Sequence, residues 1–149
     1  MIKVNYPEPE FRIKKEDGRE MIFDSTRKLW VVLTDEEWVR QNFIQYMVKE
    51  LHYPGELIAV EKEIKLGELK KRFDILLFNK LQEPWMMIEC KSSNIELSRK
   101  VFDQLLRYHI SVPATYLIIT NGNYTFGWFK KGNILEEISD LPAWPGKNE

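Results

Sequence analysis

The segments KRFDILLF at Lys71–Phe78 and WMMIECK at Trp85–Lys91 decide the fold of this chain. Both are apolar runs of strand length, and the short connection between them favours an antiparallel pair. Each run also carries ionisable residues: Asp74 lies inside the first, and Glu89 and Lys91 lie at the end of the second. Because side chains alternate along a strand, Glu89 and Lys91 leave the same face of the sheet.

Working outward, the sequence predicts an α/β fold with a mixed β-sheet flanked by helices. A third strand precedes the pair across a turn at Gly67, which makes an antiparallel meander. The crossover through the later helix predicts that the strands on either side of it are parallel. We expect one further helical turn around Leu135 and Ile138. The predicted strands are residues 57–66, 71–78, 85–91, 115–120 and 124–130, with extended segments in 11–33, and the predicted helices are residues 34–51 and 97–109.

The length of 149 residues predicts a single domain, residues 1–149, with an N-terminal arm at 1–10 and a mobile tail at 140–149. The single cysteine, Cys90, cannot form an intramolecular disulfide, and no apolar run is long enough to span a bilayer. We therefore expect a cytoplasmic protein without a membrane partner. The formal net charge of −1 excludes a chain that coats nucleic acid through its total charge, so any DNA contact requires a local basic patch.

Asp74, Glu89 and Lys91 form a chemically sensible metal site. Carboxylates on two neighbouring strands offer the oxygen ligands that Mg²⁺ prefers, and the lysine could align a water and offset phosphate charge. Ionisable groups in apolar strands are costly unless they are compensated. The alternative is an ion pair of Lys91 with Glu89 or Asp74 that caps the core.

The first helix carries charged residues on its apolar side. It opens with the capping-box spacing Thr34 to Glu37. At 100° per residue, Glu36 and Arg40 fall in the middle of the apolar stripe, which is centred near Met47, whereas Glu37 lies well off it. We expect Glu36 to point toward Asp74 and Glu89 while Glu37 faces solvent. The alternative is a mutual Glu36–Arg40 pair at the helix end.

Several further residues are candidates either for the site or for the core. Gln104 and Tyr108 are i, i+4 neighbours that share a predicted buried face with Val101. Cys90 points to the opposite sheet face and is expected to be a small core residue. His52 and His109 are expected at the surface or at helix ends. Lys71 and Arg72 belong to a basic run beside the proposed site, which either binds DNA or is a solvated edge strand; the run is Lys62, Lys65, Lys70, Lys71 and Arg72.

Several motifs together resemble a known family. RFDILLF, followed 15 residues after Asp74 by IECK, resembles the PD-(D/E)XK nuclease signature, although Phe73 stands where the signature has proline. DQLLRY resembles the Gln-x-x-x-Tyr element of the RecB-like branch, at Gln104 and Tyr108. TDEEWVRQNFIQY is similar to the N-terminal domain of type I restriction enzyme R subunits and their small stand-alone relatives. The resemblance covers roughly residues 25–130.

The resemblance implies an αβββαβ core and Mg²⁺-dependent hydrolysis of DNA, with Mn²⁺ as a possible substitute. It implies DNA as a partner, with a homodimer or the subunits of a restriction complex. Because the chain carries no helicase motor, the alternative is a non-catalytic binding module or subunit with the same fold. The implied roles are catalysis by Asp74, Glu89 and Lys91 with support from Gln104 and Tyr108, metal binding by Glu36, Asp74, Glu89 and the Cys90 carbonyl, and substrate binding by Arg40, Lys71 and Arg72. Glu37 is the alternative to Glu36 as the acid of the first helix.

Overall fold

Two α-helices, a short 3₁₀ helix (Gly55–Leu57) and nine strands in two sheets are found within residues 1–146. This computed structural model describes those residues apart from the side chain of Leu66. No helix within these residues is long and apolar enough to cross a membrane. The strands are β1 (Ile13–Glu16), β2 (Arg19–Asp24), β3 (Leu29–Val32), β4 (Ile58–Leu66), β5 (Leu69–Phe78), β6 (Pro84–Cys90), β7 (Tyr116–Thr120), β8 (Thr125–Lys131) and β9 (Ile134–Ile138), and the helices are α1 (Asp35–Lys49) and α2 (Arg99–His109).

The larger sheet is mixed, with strand order β4-β5-β6-β7-β8-β9. Only the β6–β7 pair in this sheet is parallel, as the crossover through α2 predicts, and the other pairs are antiparallel. The order α1-β4-β5-β6-α2-β7 matches the expected αβββαβ core. The prediction of an α/β fold with a mixed sheet and flanking helices is therefore confirmed. Strands β1, β2 and β3 form a separate antiparallel sheet.

The central strands β5 and β6 are buried on both faces, which explains why their sequences are continuous apolar runs rather than alternating ones. Ile75 and Ile88 pack with Phe43 of α1 in one core cluster. Leu76 and Met87 pack in a second cluster, against which Leu106 of α2 lies; that cluster comprises Phe73, Leu76, Met87, Val112, Ala114 and Leu117. The two helices thus cover opposite faces of the strands that carry the candidate site.

The segment around Leu135 is a strand, so the predicted helical turn is wrong. Strand β9 pairs with β8 in an antiparallel hairpin that joins Lys131 to Ile134. Gly132, with φ +62°, makes the two-residue turn possible because glycine enters the left-handed region without a steric penalty.

Both predicted terminal segments contact the core. In the arm, the side chain of Ile2 is buried, and its backbone N–H donates to the carbonyl of Thr125 (2.8 Å). Within the tail, the indole N–H of Trp144 donates to the carbonyl of Phe78 (3.1 Å). The mobility of the tail stays a prediction, and its residues 147–149 lie outside the described residues.

Candidate active site

The candidate site lies where strands β5 and β6 separate. Their antiparallel ladder ends at the pair Ile75–Ile88, next to Asp74 on β5 and Glu89 on β6. Past this pair, the backbone N–H of Cys90 donates to Asp74 Oδ2 (2.8 Å). The carboxylate of Asp74 therefore fills the opening between the two strands.

The regular strand geometry breaks at Asp74. In a regular strand, Phe73 and Leu76 would point to opposite faces of the sheet because they are three residues apart. Both nevertheless pack in the cluster that lies against α2. Opposite Asp74 on β4, Glu61 has φ +52°, a left-handed conformation that is costly for a residue with a side chain. The β4–β5 register pairs the neighbours of these two residues but not Glu61 with Asp74. Such local strain is typical of functional sites.

Arg40 of α1 connects the helix to this break in the sheet. Its Nη2 donates to Asp74 Oδ1 (3.1 Å) and lies 3.5 Å from Glu61 Oε1. The side chain of Arg40 is only 5% exposed, and its Nη1 also pairs with Glu37. A buried guanidinium with several carboxylate partners fixes the position of α1 over β4 and β5.

The side chain of Glu89 is buried close to other carboxyl groups. Burial and the nearby Asp74 raise the pKa of its carboxyl to about 8, against the opposing effect of Lys91. Partial burial and Asp74 also raise the pKa of Glu36, whose side chain is 46% exposed. The structure thus brings Glu36, Asp74 and Glu89 close enough for their charges to interact. Glu36 also makes the Arg40 pair that was the alternative, with Oε1 3.4 Å from Arg40 Nη2.

Lys91 follows directly after β6 and faces the same cluster. Its charge counteracts the rise in the pKa values of Glu89 and Glu36, so its ammonium lies near both carboxyl groups. Within residues 1–146 no close ion pair holds this ammonium. Its backbone N–H, which donates to Thr120 (2.8 Å), anchors it to β7. A fixed backbone with an uncommitted ammonium suits a residue that contacts a ligand.

Residues 35–142 match the family model described as type I restriction enzyme R protein N terminus. The chain belongs to this family. The match covers more than half of the chain and includes the whole carboxylate cluster with Lys91, from α1 to the end of β9. It ties the chain to type I restriction enzymes. No curated protein is similar enough to the chain to count as a match.

In this member of the R-protein N-terminal family, the prediction that Glu37 faces solvent is wrong. Glu37 is buried, and its carboxylate accepts hydrogen bonds from Arg27 Nη2 (2.9 Å) and Gln41 Nε2 (2.9 Å) as well as from Arg40. Its backbone N–H still makes the predicted cap by donating to Thr34 Oγ1 (3.0 Å). The helical periodicity of α1 gave the wrong environment for Glu37 because its partner Arg27 lies in the β2–β3 turn. The periodicity of one helix contains no information about such a partner.

Gln104 and Tyr108 lie on the exposed side of α2, not on the predicted buried stripe. The Tyr108 side chain is 45% exposed. Together with Arg99, Lys100 and Arg107, the two residues line an open groove on the outer side of α2. The buried side of this helix runs through Phe102, Leu106 and His109 instead. No described contact connects Gln104 or Tyr108 to Lys91.

Two of the three predicted substrate-binding cations, Arg40 and Lys71, are buried and bind acceptors within the protein. Arg40 is enclosed by carboxylates. Lys71 is buried, and its ammonium donates to the Tyr108 carbonyl and to Ser111 Oγ (2.9 Å), which holds the end of α2. Only Arg72 is exposed (66%), where it pairs with Glu61 Oε2 (3.0 Å). Of these three cations, only Arg72 presents its charge to solvent, and its role in substrate binding stays a prediction.

Cys90 is buried in the core, as expected from its side of the strand. Burial raises the pKa of its thiol well above the ordinary value, so the thiol remains protonated and is not a nucleophile. Only its backbone carbonyl is therefore available for the metal role that the resemblance implies.

Two residues near the cluster differ from expectation: Glu61 was not singled out, and His109 ends α2, one of its two expected positions, but is buried rather than at the surface. Glu61 contacts Arg27, Arg40 and Arg72 at 3.0–3.5 Å, and the turn at Gly67 would have predicted its register opposite Asp74. His109 is buried, with Nε2 at 3.6 Å from Glu89 Oε1.

The donors of the cluster fit a hard divalent cation in kind. Glu36, Asp74 and Glu89 supply only oxygen, the kind of ligand that Mg²⁺ prefers, and the pKa values of Glu36 and Glu89 are raised. Among residues 1–146, however, no three acidic, histidine or cysteine side chains are already grouped to hold a metal. Arg40 takes one position at Asp74. Metal binding therefore requires the carboxylates to draw together.

The pKa values predict how the stability of the metal-free protein changes with pH. Native Glu89 keeps its proton up to about pH 8, whereas the unfolded carboxyl loses it near 4.5, so this group lowers stability as pH rises between these values. Native His109, with a pKa lowered to about 4 by burial and Lys71, raises stability as pH rises from 4 to 6.5. Below pH 6.5 the effects of Glu89 and His109 on stability oppose each other. Between pH 6.5 and about pH 8, of these two groups only Glu89 changes the stability.

We therefore expect the free energy of unfolding in a chelating buffer to fall from about pH 6.5 to about pH 8. Glu89→Gln should remove this decline and be more stable than wild type at the higher pH, because an amide carries no charge to bury. Denaturant titrations at the two pH values measure the difference. An equal decline in Glu89→Gln would show that another group causes it.

Proposed function

We propose that this chain is a metal-dependent deoxyribonuclease of the PD-(D/E)XK type that acts in a restriction or DNA-processing context. One observation carries the proposal: the carboxyl groups of Glu36, Asp74 and Glu89 interact where two buried strands separate, near Lys91, which has no ion-pair partner among residues 1–146. If Lys91 had only a structural role in an ion pair, its ammonium would contact a carboxylate, and three interacting acids would not be needed.

In the proposed reaction, Glu36, Asp74, Glu89 and the carbonyl of Cys90 hold Mg²⁺ or Mn²⁺. The bound ion would polarise the scissile phosphate and lower the pKa of a water molecule. The ammonium of Lys91 aligns the attacking water and offsets the charge that grows on the phosphate oxygens. Asp74 is oriented for this task by the N–H of Cys90.

DNA is the proposed substrate because exposed cations lie beside the cluster on the β4–β5 hairpin. They are Lys62, Lys65, Lys70 and Arg72. Since the whole chain has a formal charge of −1, attraction of the phosphate backbone must come from this local surface. The other subunits of a restriction complex, or a second copy of the chain, are the proposed protein partners.

A second candidate is a non-catalytic module or subunit of a restriction or repair complex. The observation that favours it is the position of Arg40, which neutralises Asp74 without any metal. In such a module the guanidinium would permanently replace the cation, and Asp74 would serve only to hold α1 on the sheet.

Metal titration with a cleavage assay tests the nuclease proposal. We expect calorimetry to detect Mn²⁺ and Mg²⁺ binding to the wild type, and we expect metal-dependent cleavage of plasmid, linear or single-stranded DNA. Asp74→Asn should lose both, because an amide is a poor ligand for a hard cation. Asparagine is chosen over alanine since it keeps an acceptor for the Cys90 N–H.

Two results would separate the candidates. A wild type that binds no divalent metal and cleaves no DNA supports the non-catalytic module. Metal binding and cleavage that survive in Asp74→Asn would contradict the assignment of the site, although the chain would remain a nuclease.

A further inference from the structure

His109 ends α2 with a side chain that is held rigidly in the interior. The imidazole is 4% exposed. Its ring packs on Phe73 with 5.4 Å between centroids, and the ring of Tyr108 meets it edge-on at 4.5 Å. The ring therefore cannot swing out to solvent without disturbing the core beside β5.

Both nitrogens of this imidazole lack a hydrogen-bond partner within the described residues. Buried polar atoms in proteins are nearly always paired, and leaving one unpaired costs free energy. The acidic atom opposite Nε2 is Glu89 Oε1, at 3.6 Å. Lys71 and Lys91 are the nearby charged groups on the other elements, and both disfavour a proton on the ring. Nε2 is the ring nitrogen aimed at the buried carboxyl, and it can donate a hydrogen bond when it carries the ring proton.

We propose that His109 is the positioning residue of Glu89. When metal binding ionises Glu89, Nε2–H would close the 3.6 Å separation, donate to Oε1 and leave the other oxygen for the metal. This inference rests on the proposed nuclease function, since it explains why a core position that an apolar ring could fill carries an imidazole. Carboxylates that bind metals are commonly oriented by a second hydrogen bond of this kind.

Three variants test the inference through Mn²⁺ affinity measured by calorimetry. His109→Phe keeps the ring and its packing on Phe73 but removes the donor, so we expect the affinity to fall about 10–100-fold. His109→Gln keeps an N–H donor and should recover the affinity to within a few-fold of wild type. His52→Asn is the matched control, because His52 is exposed and asparagine tolerates its φ of +56°. A purely structural role would predict the same affinity in all folded variants.

A second measurement covers the case in which a His109 variant fails to fold. The chain has two histidines, so ¹⁵N-histidine labelling of the wild type resolves both rings. Addition of Mg²⁺ should shift the His109 Nε2 resonance while the ring stays neutral, and His52 should not respond.

The outcomes separate this inference from the function it rests on. If the wild type binds no metal, the proposed nuclease function fails and the role of His109 fails with it. If the wild type binds metal and cleaves DNA but His109→Phe binds equally well, or the His109 resonance ignores Mg²⁺, only the positioning role is overturned.

Discussion

Replacing Lys91 by methionine is expected to lower the rate of DNA cleavage about 10²–10³-fold, the range found when a preorganised group that stabilises transition-state charge is removed. The physical reason is the ammonium, whose charge acts on Glu89 and Glu36 and which has no ion-pair partner in the part of the chain that the structure describes. Methionine keeps the length and apolar stem of the side chain and removes only the charge. Metal affinity should stay equal or increase, because a cation that repels the metal is lost.

The measurement compares single-turnover cleavage rates with Mn²⁺ affinities for the same proteins. Lys131→Met on β8 is the matched control, since Lys131 is an exposed lysine on a strand far along the sheet from β5. Cleavage at the wild-type rate by Lys91→Met would remove Lys91 from the mechanism. A loss of metal affinity in step with activity would show that the lysine shapes the site rather than the reaction.

Replacing Arg40 by methionine is expected to lower the free energy of unfolding by about 3–5 kcal/mol, as when one partner of a buried ion pair is removed. The guanidinium is the common partner of Glu37 and Asp74, and both carboxylates lie in poorly solvated positions. Glu37 retains Arg27 and Gln41, which places the expected cost toward the lower end. Denaturant titration in a chelating buffer gives the value.

Arg72→Met is the control for Arg40→Met, because Arg72 also pairs with Glu61 but is 66% exposed. An exposed pair contributes at most about 1 kcal/mol. Equal costs for the two variants would contradict a buried electrostatic link between α1 and the sheet.

Mn²⁺ makes the same Arg40 experiment informative about function. If metal and Arg40 compete for Asp74, Mn²⁺ should raise the melting temperature of Arg40→Met more than that of the wild type. In a non-catalytic module, neither protein should respond to the metal.

The sequence by itself determined the fold class and the neighbouring strands that carry Asp74 and Glu89. Apolar runs and turns around Asp74 and Glu89 predicted the meander, and the α2 crossover predicted the parallel β6–β7 pair. These features follow from local periodicity and short connections, which a single chain segment encodes. The motifs that resembled R-subunit N-terminal domains likewise led to the family that residues 35–142 match.

Only the tertiary structure decided which charged groups are paired. Glu37 is buried because Arg27, from the β2–β3 turn, pairs with it. Arg40 and Lys71 are unavailable to a ligand because they bind acceptors that are remote from them in sequence. His109 joins Glu89 because α2 packs with a different face inward from the one that its polar pattern indicated. The physical reason is that a helical or strand period reports only which face of an element is apolar, whereas the burial of a charge depends on partners that are remote in sequence.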